Sequence, residues 1–420
     1  MSAVTLIMVI AVVAAFYMAW NIGANDVANA MGTSVGSGAL TMMGAVVLAG
    51  IFEFAGATLV GTHVSETIRK GIVEVRFFQP ETGLFGDMGP RILMLGMVSA
   101  LLSAGVWLQI ATMFGLPVST THSIVGAVIG FAVVAVGAEA VDWGTAGLIA
   151  VSWLLSPLFG GLLAAGMFFV VSRGVLRKED PIAATRVVGP YLVGLVVFML
   201  VLSFVYKALK NVLPDPPWWL VLLAAAASGG LAYLLSRIAL SRSSPPPDRP
   251  FAYVEKVFGR IQVMTAAYVA FAHGANDVAN AVGPLAAVIQ IGTLGALPEA
   301  VPVPTWILVL GAVGIVIGLA TWGYKVIATV GSKITELTPT RGFSAEFGAA
   351  TTVLLASRLG MPISTTHTLV GAVIGVGLAR GIGALNIRIV GRIVNSWLVT
   401  LPASAAFSAL LFIALRAIFT

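Results

Sequence analysis

The sequence predicts an all-α polytopic membrane protein of about twelve transmembrane segments. Three observations predict it. The composition is too apolar for a water-facing surface, apolar stretches of spanning length recur along nearly the whole chain, and two polar motifs each occur twice in the same order.

Of the 420 residues, 59% are hydrophobic and 10% charged, with a mean hydropathy of +1.01. A soluble domain carries about 25% charged residues because its surface must be solvated; here much of the surface must face hydrocarbon. The 47 glycines suit close helix packing and interrupted helices in a membrane. The net charge of +6 is spread over connecting segments, as at Arg173, Arg177, Lys178 and Arg186. That spread suits loops against anionic headgroups and excludes a nucleic-acid footprint. With no cysteine, disulfides, thiolate metal sites and cysteine nucleophiles are excluded. The first 20 residues are apolar without a basic start and run directly into a polar motif, so they read as a retained first helix.

Stretches able to cross about 30 Å of hydrocarbon fall near 3–24, 39–62, 90–113, 122–138, 145–172, 187–209, 217–240, 262–288, 303–328, 346–358, 366–382 and 390–418. Several are short or interrupted for a full crossing. Polar breaks separate them at 63–89, 173–186, 211–217 and 241–250. The last break, SRSSPPPDRP, cannot continue a helix because proline lacks the amide donor.

The internal repeat organises the chain. GANDVANA at Gly23 to Ala30 recurs letter for letter at Gly274 to Ala281. LPVSTTH at Leu116 to His122, followed by GAVIG from Gly126, recurs as MPISTTH at Met361 to His367, followed by GAVIG from Gly371. VGTHVSE at 60–66 matches VGSKITE at 330–336 more weakly. The expected organisation is a first repeat at 1–172, a linking segment with two transmembrane helices at 173–250, and a second repeat at 251–420. Duplicated halves are common in secondary transporters, where one moves against the other about a midplane site.

GANDVANA sets Asn25, Asp26 and Asn29, and again Asn276, Asp277 and Asn280, directly in apolar sequence. A carboxylate near the bilayer centre costs about 2.5–3.5 kcal/mol on insertion scales, so it needs a partner. Neither copy has a Lys or Arg nearby in sequence, which leaves a bound cation. Carboxylate, carboxamide and carbonyl oxygens are hard ligands suited to an ion such as sodium. The competing reading is an Asn/Asp helix cap.

The second motif is a hydroxyl cluster after a proline, where a helix restarts with Ser119 or Ser364 as N-cap. The free amides and the hydroxyls of Thr120, Thr121, Thr365 and Thr366 would then form an anion site at a positive helix end. Two such starts converging would cage a phosphate-sized anion; ordinary capping is the competing reading. His122 and His367 close these motifs as turn-locking or proton-carrying residues. His273 stands where the first copy has Ile22 and so breaks the repeat. Glu53 and Glu346 also lie inside apolar runs, as coupling-ion ligands or hydrogen-bonded structural acids.

With GANDVANA twice and P-x-S-T-T-H twice, across both halves, the chain resembles the inorganic phosphate transporter (PiT) family of sodium- or proton-coupled carriers. The resemblance implies two inverted repeats with broken or re-entrant helices, orthophosphate as substrate, sodium or protons as coupling ion, and dimers among family members. It implies phosphate contacts at Asn29, Ser119, Thr120, Thr121, Asn280, Ser364, Thr365 and Thr366, and sodium contacts at Asn25, Asp26, Asn276, Asp277, Glu53 and Glu346. Sodium ions are then co-transported ligands rather than cofactors. The partners are phosphate, sodium, lipid and a homodimer mate, the chain is no enzyme, and its place is a plasma or bacterial inner membrane. Sulfate, a metal–phosphate complex and proton coupling stay open within transport. Outside it stand an anion channel and an intramembrane hydrolase using Ser119 with His122.

Overall fold

The computed structural model describes residues 2–60, 72–81, 83–207, 217–243, 248–295, 303–358 and 363–420. Met361, Pro362 and all of VGTHVSE except Val60 lie outside the described residues. The described chain is helical: α1 Ala3–Gly36, α2 Met42–Val60, α3 Gly89–Met113, α4 Thr120–Ala135 and α5 Trp143–Val171 form the first half. The linking helices are α6 Pro181–Lys207 and α7 Trp218–Ser241, packed on each other. The second half follows as α8 Pro250–Asp277, α9 Ala279–Leu294, α10 Thr305–Trp322, α11 Pro339–Arg358, α12 Thr365–Arg380 and α13 Ile387–Phe419.

Among the described residues each of the twelve apolar stretches lies largely on a helix, but they are not equivalent. Among the described residues, nine helical segments are long and apolar enough to cross a membrane, α8 and α9 counting as one. The three stretches left over are α4, α11 and α12. At 16 residues each, α4 and α12 rise about 24 Å, short of the roughly 30 Å hydrocarbon layer. α11 has 20 residues but carries Glu346 and a run of hydroxyls. The segments that do not read as spans are those bearing the hydroxyl motifs and Glu346.

Local chemistry sets the helix starts. Ser119 Oγ accepts from His122 N at 3.3 Å and Ser364 Oγ from His367 N at 3.2 Å, so both prolines are followed by a capped helix. At the start of α5, Asp142 accepts from the Thr145 and Gly144 amides. Those bonds, the Thr145 amide first, hold its carboxyl below the usual carboxylate range.

Corresponding helices of the two halves pack in reciprocal pairs. α4 lies on α13 and its counterpart α12 on α5; α1 lies on α10 and α8 on α2. Glycines let these backbones touch. A Cβ on Gly130 would sit 2.1 Å from the Ala405 carbonyl oxygen, and one on its mate Gly375 would sit 2.2 Å from that of Gly161. The motif glycines behave alike: Gly23 abuts the Ile315 carbonyl and Gly274 that of Glu53. Close approach explains why the repeats keep glycine there.

The two GANDVANA copies differ in backbone. The first lies inside unbroken α1, whereas the second is interrupted at Val278 between α8 and α9. Pro284 stands at the position aligned with Thr33 and removes an amide donor just beyond the motif.

Candidate functional site

All four motif copies converge on one buried cluster. α1 supplies Asp26 and Asn29, the start of α4 supplies Thr120, the α8–α9 junction supplies Asp277 and Asn280, and the start of α12 supplies Thr365 and Thr366. Thr120 Oγ1 donates to Asp26 Oδ2 at 2.9 Å, and Thr366 Oγ1 lies 3.4 Å from Asp26 Oδ1 and 3.2 Å from the Val118 carbonyl. The halves cross-link reciprocally. Asn29 Nδ2 donates to Thr366 at 2.8 Å, and Asn280 Nδ2 reaches Thr120 at 3.4 Å and Asp277 at 3.2 Å. Asn276 and Thr365 are more loosely placed, 3.4 and 3.5 Å from Asp277 oxygens.

The hydroxyls expected to face an anion thus face the carboxylates expected to face a cation. Cation and anion chemistry occupy one network rather than two separate cages. The adjoining cavity, between Asn29, His273 and Thr365, measures about 20 Å³. That is room for about one water and too little for a tetrahedral oxyanion.

Three sequence candidates lie apart from this cluster: Asn25, Thr121 and Glu346. Asn25 spends its amide on the α3–α4 connection, donating to Thr112 Oγ1 at 2.9 Å and the Leu116 carbonyl at 3.0 Å and accepting from Val118 N at 3.1 Å. It is placed to fix the turn that presents Ser119 and Thr120. Thr121 is partly buried and makes none of the cluster's hydrogen bonds among the described residues.

His273 is the residue that motif reading undervalued. Its Nε2 lies 3.2 Å from Asp277 Oδ2 and 3.5 Å from Asp26 Oδ2, and its Nδ1 lies 3.3 Å from Glu53 Oε1. All four side chains are at most 1% exposed. One ligand atom each from Asp26, His273 and Asp277 lies within 4.8 Å of the other two, a geometry that can hold a metal ion. An imidazole carries at most one positive charge, so with all three carboxyls ionised the cluster would carry negative charge in excess.

Glu346 forms a second polar cage. It accepts from Thr33 at 2.5 Å, Ser34 at 2.7 Å and Gln262 at 3.0 Å, and from Thr265. Thr33 is four residues past Asn29, so this cage lies about 6 Å further along α1 from the central cluster. Thr33, Ser34, Gln262 and Thr265 were not read from the sequence. Their signal is that each is a polar residue whose repeat mate (Pro284, Leu285, Ala11 and Ala14) is apolar.

The histidines that close the hydroxyl motifs do aromatic packing. His122 lies 4.1 Å from Trp153 and 4.5 Å from His367, which stacks on Trp397 at 3.8 Å, all between ring centroids. Ser119 Oγ serves as a cap acceptor and the His122 ring faces Trp153 and His367, so these two are not arranged as a nucleophile–base pair among the described residues.

With this geometry in view, the profile of the Phosphate transporter family matches residues 22–408. The chain belongs to that family. Its members are transporters rather than enzymes, and this one is a multi-pass membrane protein. A Pyrococcus abyssi protein provisionally named a phosphate permease is 49% identical over 395 residues, covering 94% of each chain. The chloroplastic inorganic phosphate transporter 2-1 of Arabidopsis thaliana is 45% identical over 94% of this phosphate transporter family member and 69% of its own length. A solved structure described as the sodium-dependent phosphate transporter superposes with a TM-score of 0.87 at 44% identity, covering 98% of this chain and all of that one.

Proposed function

We propose that this chain carries inorganic phosphate across the membrane coupled to sodium, by alternating access of two inverted halves. The observation that carries the reading is the gathering of three buried carboxyl groups, Asp26, Asp277 and Glu53, around the single imidazole of His273, beside two capped helix starts rich in hydroxyls. An empty site of this charge repels a phosphate dianion, and bound sodium ions remove the repulsion. Transport is therefore obligatorily coupled. Asp26, Asn276 and Asp277, with Glu53 behind them, hold sodium at the centre; Glu346 in its ring of neutral donors holds another. Phosphate takes Asn29, Thr120, Asn280, Thr365 and Thr366 directly, with the helix starts capped by Ser119 and Ser364 and carrying Thr121. Asn25 holds the first start in place. Sodium dependence in the similar solved transporter supports this choice of ion.

The halves are 1–172 and 251–420, with 173–250 as a linking pair of helices, and the short helices α4 and α12 are re-entrant. The reciprocal helix packing supports a pseudo-twofold relation, and inverted halves supply two access states by exchanging conformations. Since the chain has no native cysteine, single cysteines at Arg76 and Lys333 can report the inversion: an impermeant thiol reagent labels them from opposite sides, and labelling from one side contradicts it.

A second reading has one observation in its favour. A nitrogen ligand beside two carboxylates suits a divalent transition metal better than sodium, which would make a metal–phosphate complex the cargo. Labelled phosphate uptake into proteoliposomes separates the readings, with sodium, proton and divalent-metal gradients varied independently. The account predicts uptake driven by inward sodium alone; uptake indifferent to sodium and dependent on protons or a metal rejects it.

A further inference from the structure

A second cavity, of about 520 Å³, lies against the α3–α4 turn, with Gly115 and Leu116 in its wall. The Leu116 carbonyl accepts from Asn25, so cavity and central cluster share that turn as a partition. Lys333 and Arg392, both exposed, line the cavity alongside the neutral polar Thr329, Asn395 and Ser396. No carboxylate lines it, and neither cation takes part in an ion pair among the described residues. The stacked tryptophans set the register between halves: Trp397 answers to Trp153, so Arg392 answers to Leu148 and Asn395 to Val151. Arg392 and Asn395 therefore have apolar mates, whereas Lys333 answers to His63 in VGTHVSE and Ser396 to Ser152.

We infer that this cavity is an anion antechamber, a low-affinity site in which Lys333 and Arg392 gather inorganic phosphate on its way to the central cluster. The inference rests on the phosphate reading above. A dianion approaching three buried carboxylates meets a repulsive field, and two cations at the mouth offset it and raise the local anion concentration. The cavity is many times the space one water needs, so the anion arrives hydrated and exchanges quickly. Because the charges are exposed, salt screens the effect. The shared chemistry is a phosphate group, free or on a lipid headgroup.

The test uses Lys333→Cys/Arg392→Cys in this cysteine-free chain, reconstituted in purely zwitterionic vesicles at fixed sodium. At low ionic strength the double variant should raise the KM for inorganic phosphate by roughly three- to tenfold, with Vmax and sodium dependence unchanged. A cationic thiol reagent should restore the KM, an anionic one should raise it further, and added choline chloride should shrink every difference. Arg388→Cys, on the same helix but outside the cavity, should behave as wild type. An unchanged KM, or a loss confined to Vmax, overturns the antechamber. So does an effect seen only when anionic phosphatidylglycerol is added, which assigns the cavity to a headgroup. A wild-type protein without sodium-driven phosphate uptake overturns the functional reading itself, so the two failures are distinguishable.

Discussion

The Glu346 cage and the positions aligned with it in the other repeat have opposite chemistry. Around Glu346 stand Thr33, Ser34, Gln262 and Thr265, all buried and all donating to its carboxylate. The aligned positions are Leu101, Pro284, Leu285, Ala11 and Ala14, equally buried and with no side-chain donor or acceptor. The repeat thus sets a polar cage around Glu346 against purely apolar residues at the aligned positions. His273 against Ile22, and Arg392 against Leu148, repeat the pattern. The central cluster draws on both copies of each motif, and the departures from the repeat give the two copies different surroundings.

The comparison can be broken most severely at the centre, where the halves are alike. Asp26→Asn and Asp277→Asn should each abolish sodium-coupled uptake while the protein still purifies as a folded species, because each removes half of the paired carboxylates facing His273. Sodium-dependent uptake in either variant at wild-type level contradicts a shared centre. Next in size is Thr120→Val with Thr365→Val, which deletes one hydroxyl from each helix start at nearly constant volume. Two lost bonds to a charged ligand at about 1.5 kcal/mol each weaken phosphate binding by roughly a hundredfold, measured by calorimetry at saturating sodium. Unchanged affinity would make these hydroxyls partners of the aspartates and nothing else.

The polar cage and the apolar positions aligned with it should answer differently to the same change. Glu346→Gln should raise the sodium half-saturation by roughly tenfold, equivalent to about 1.4 kcal/mol, with phosphate affinity at saturating sodium retained. Leu101→Gln should leave sodium dependence alone and cost stability instead, about 1–3 kcal/mol for a buried amide without partners, read as a lower unfolding temperature. Equal sodium effects in both variants would erase the distinction. The smallest effect belongs to the packing that the halves share. Gly130→Ala and Gly375→Ala push a methyl toward a backbone carbonyl, at 2.1 and 2.2 Å respectively. Both should destabilise by a similar amount, about 1–3 kcal/mol, checked by thermal unfolding in detergent; a large difference between them would mean that the reciprocal contacts are not equivalent.

Much of this was legible in the sequence, for physical reasons. Spanning helices declare themselves because lipid demands about 20 apolar residues in a row, and a carboxylate inside such a run marks a site. The short helices α4 and α12 were signalled by the proline and hydroxyls that restart them. What stayed hidden depends on folding across the halves. Nothing in a linear reading shows that His273 of α8 lies between Asp26 of α1 and Glu53 of α2, although its mismatch with Ile22 pointed to it. Gln262 and Thr265 look like isolated polar residues until α11 brings Glu346 against them. Asn25 carries the same motif letters as Asn276 yet serves the α3–α4 turn, because only packing decides which way an amide points.

The central claim is that the two copies of each motif build one site. Calorimetric titration of phosphate into the purified protein at saturating sodium tests it most directly, on the wild type and on Asp26→Asn and Asp277→Asn separately. The account predicts one phosphate per chain in the wild type and loss of that binding in both variants. Two phosphates per chain, with each variant keeping one, would contradict it.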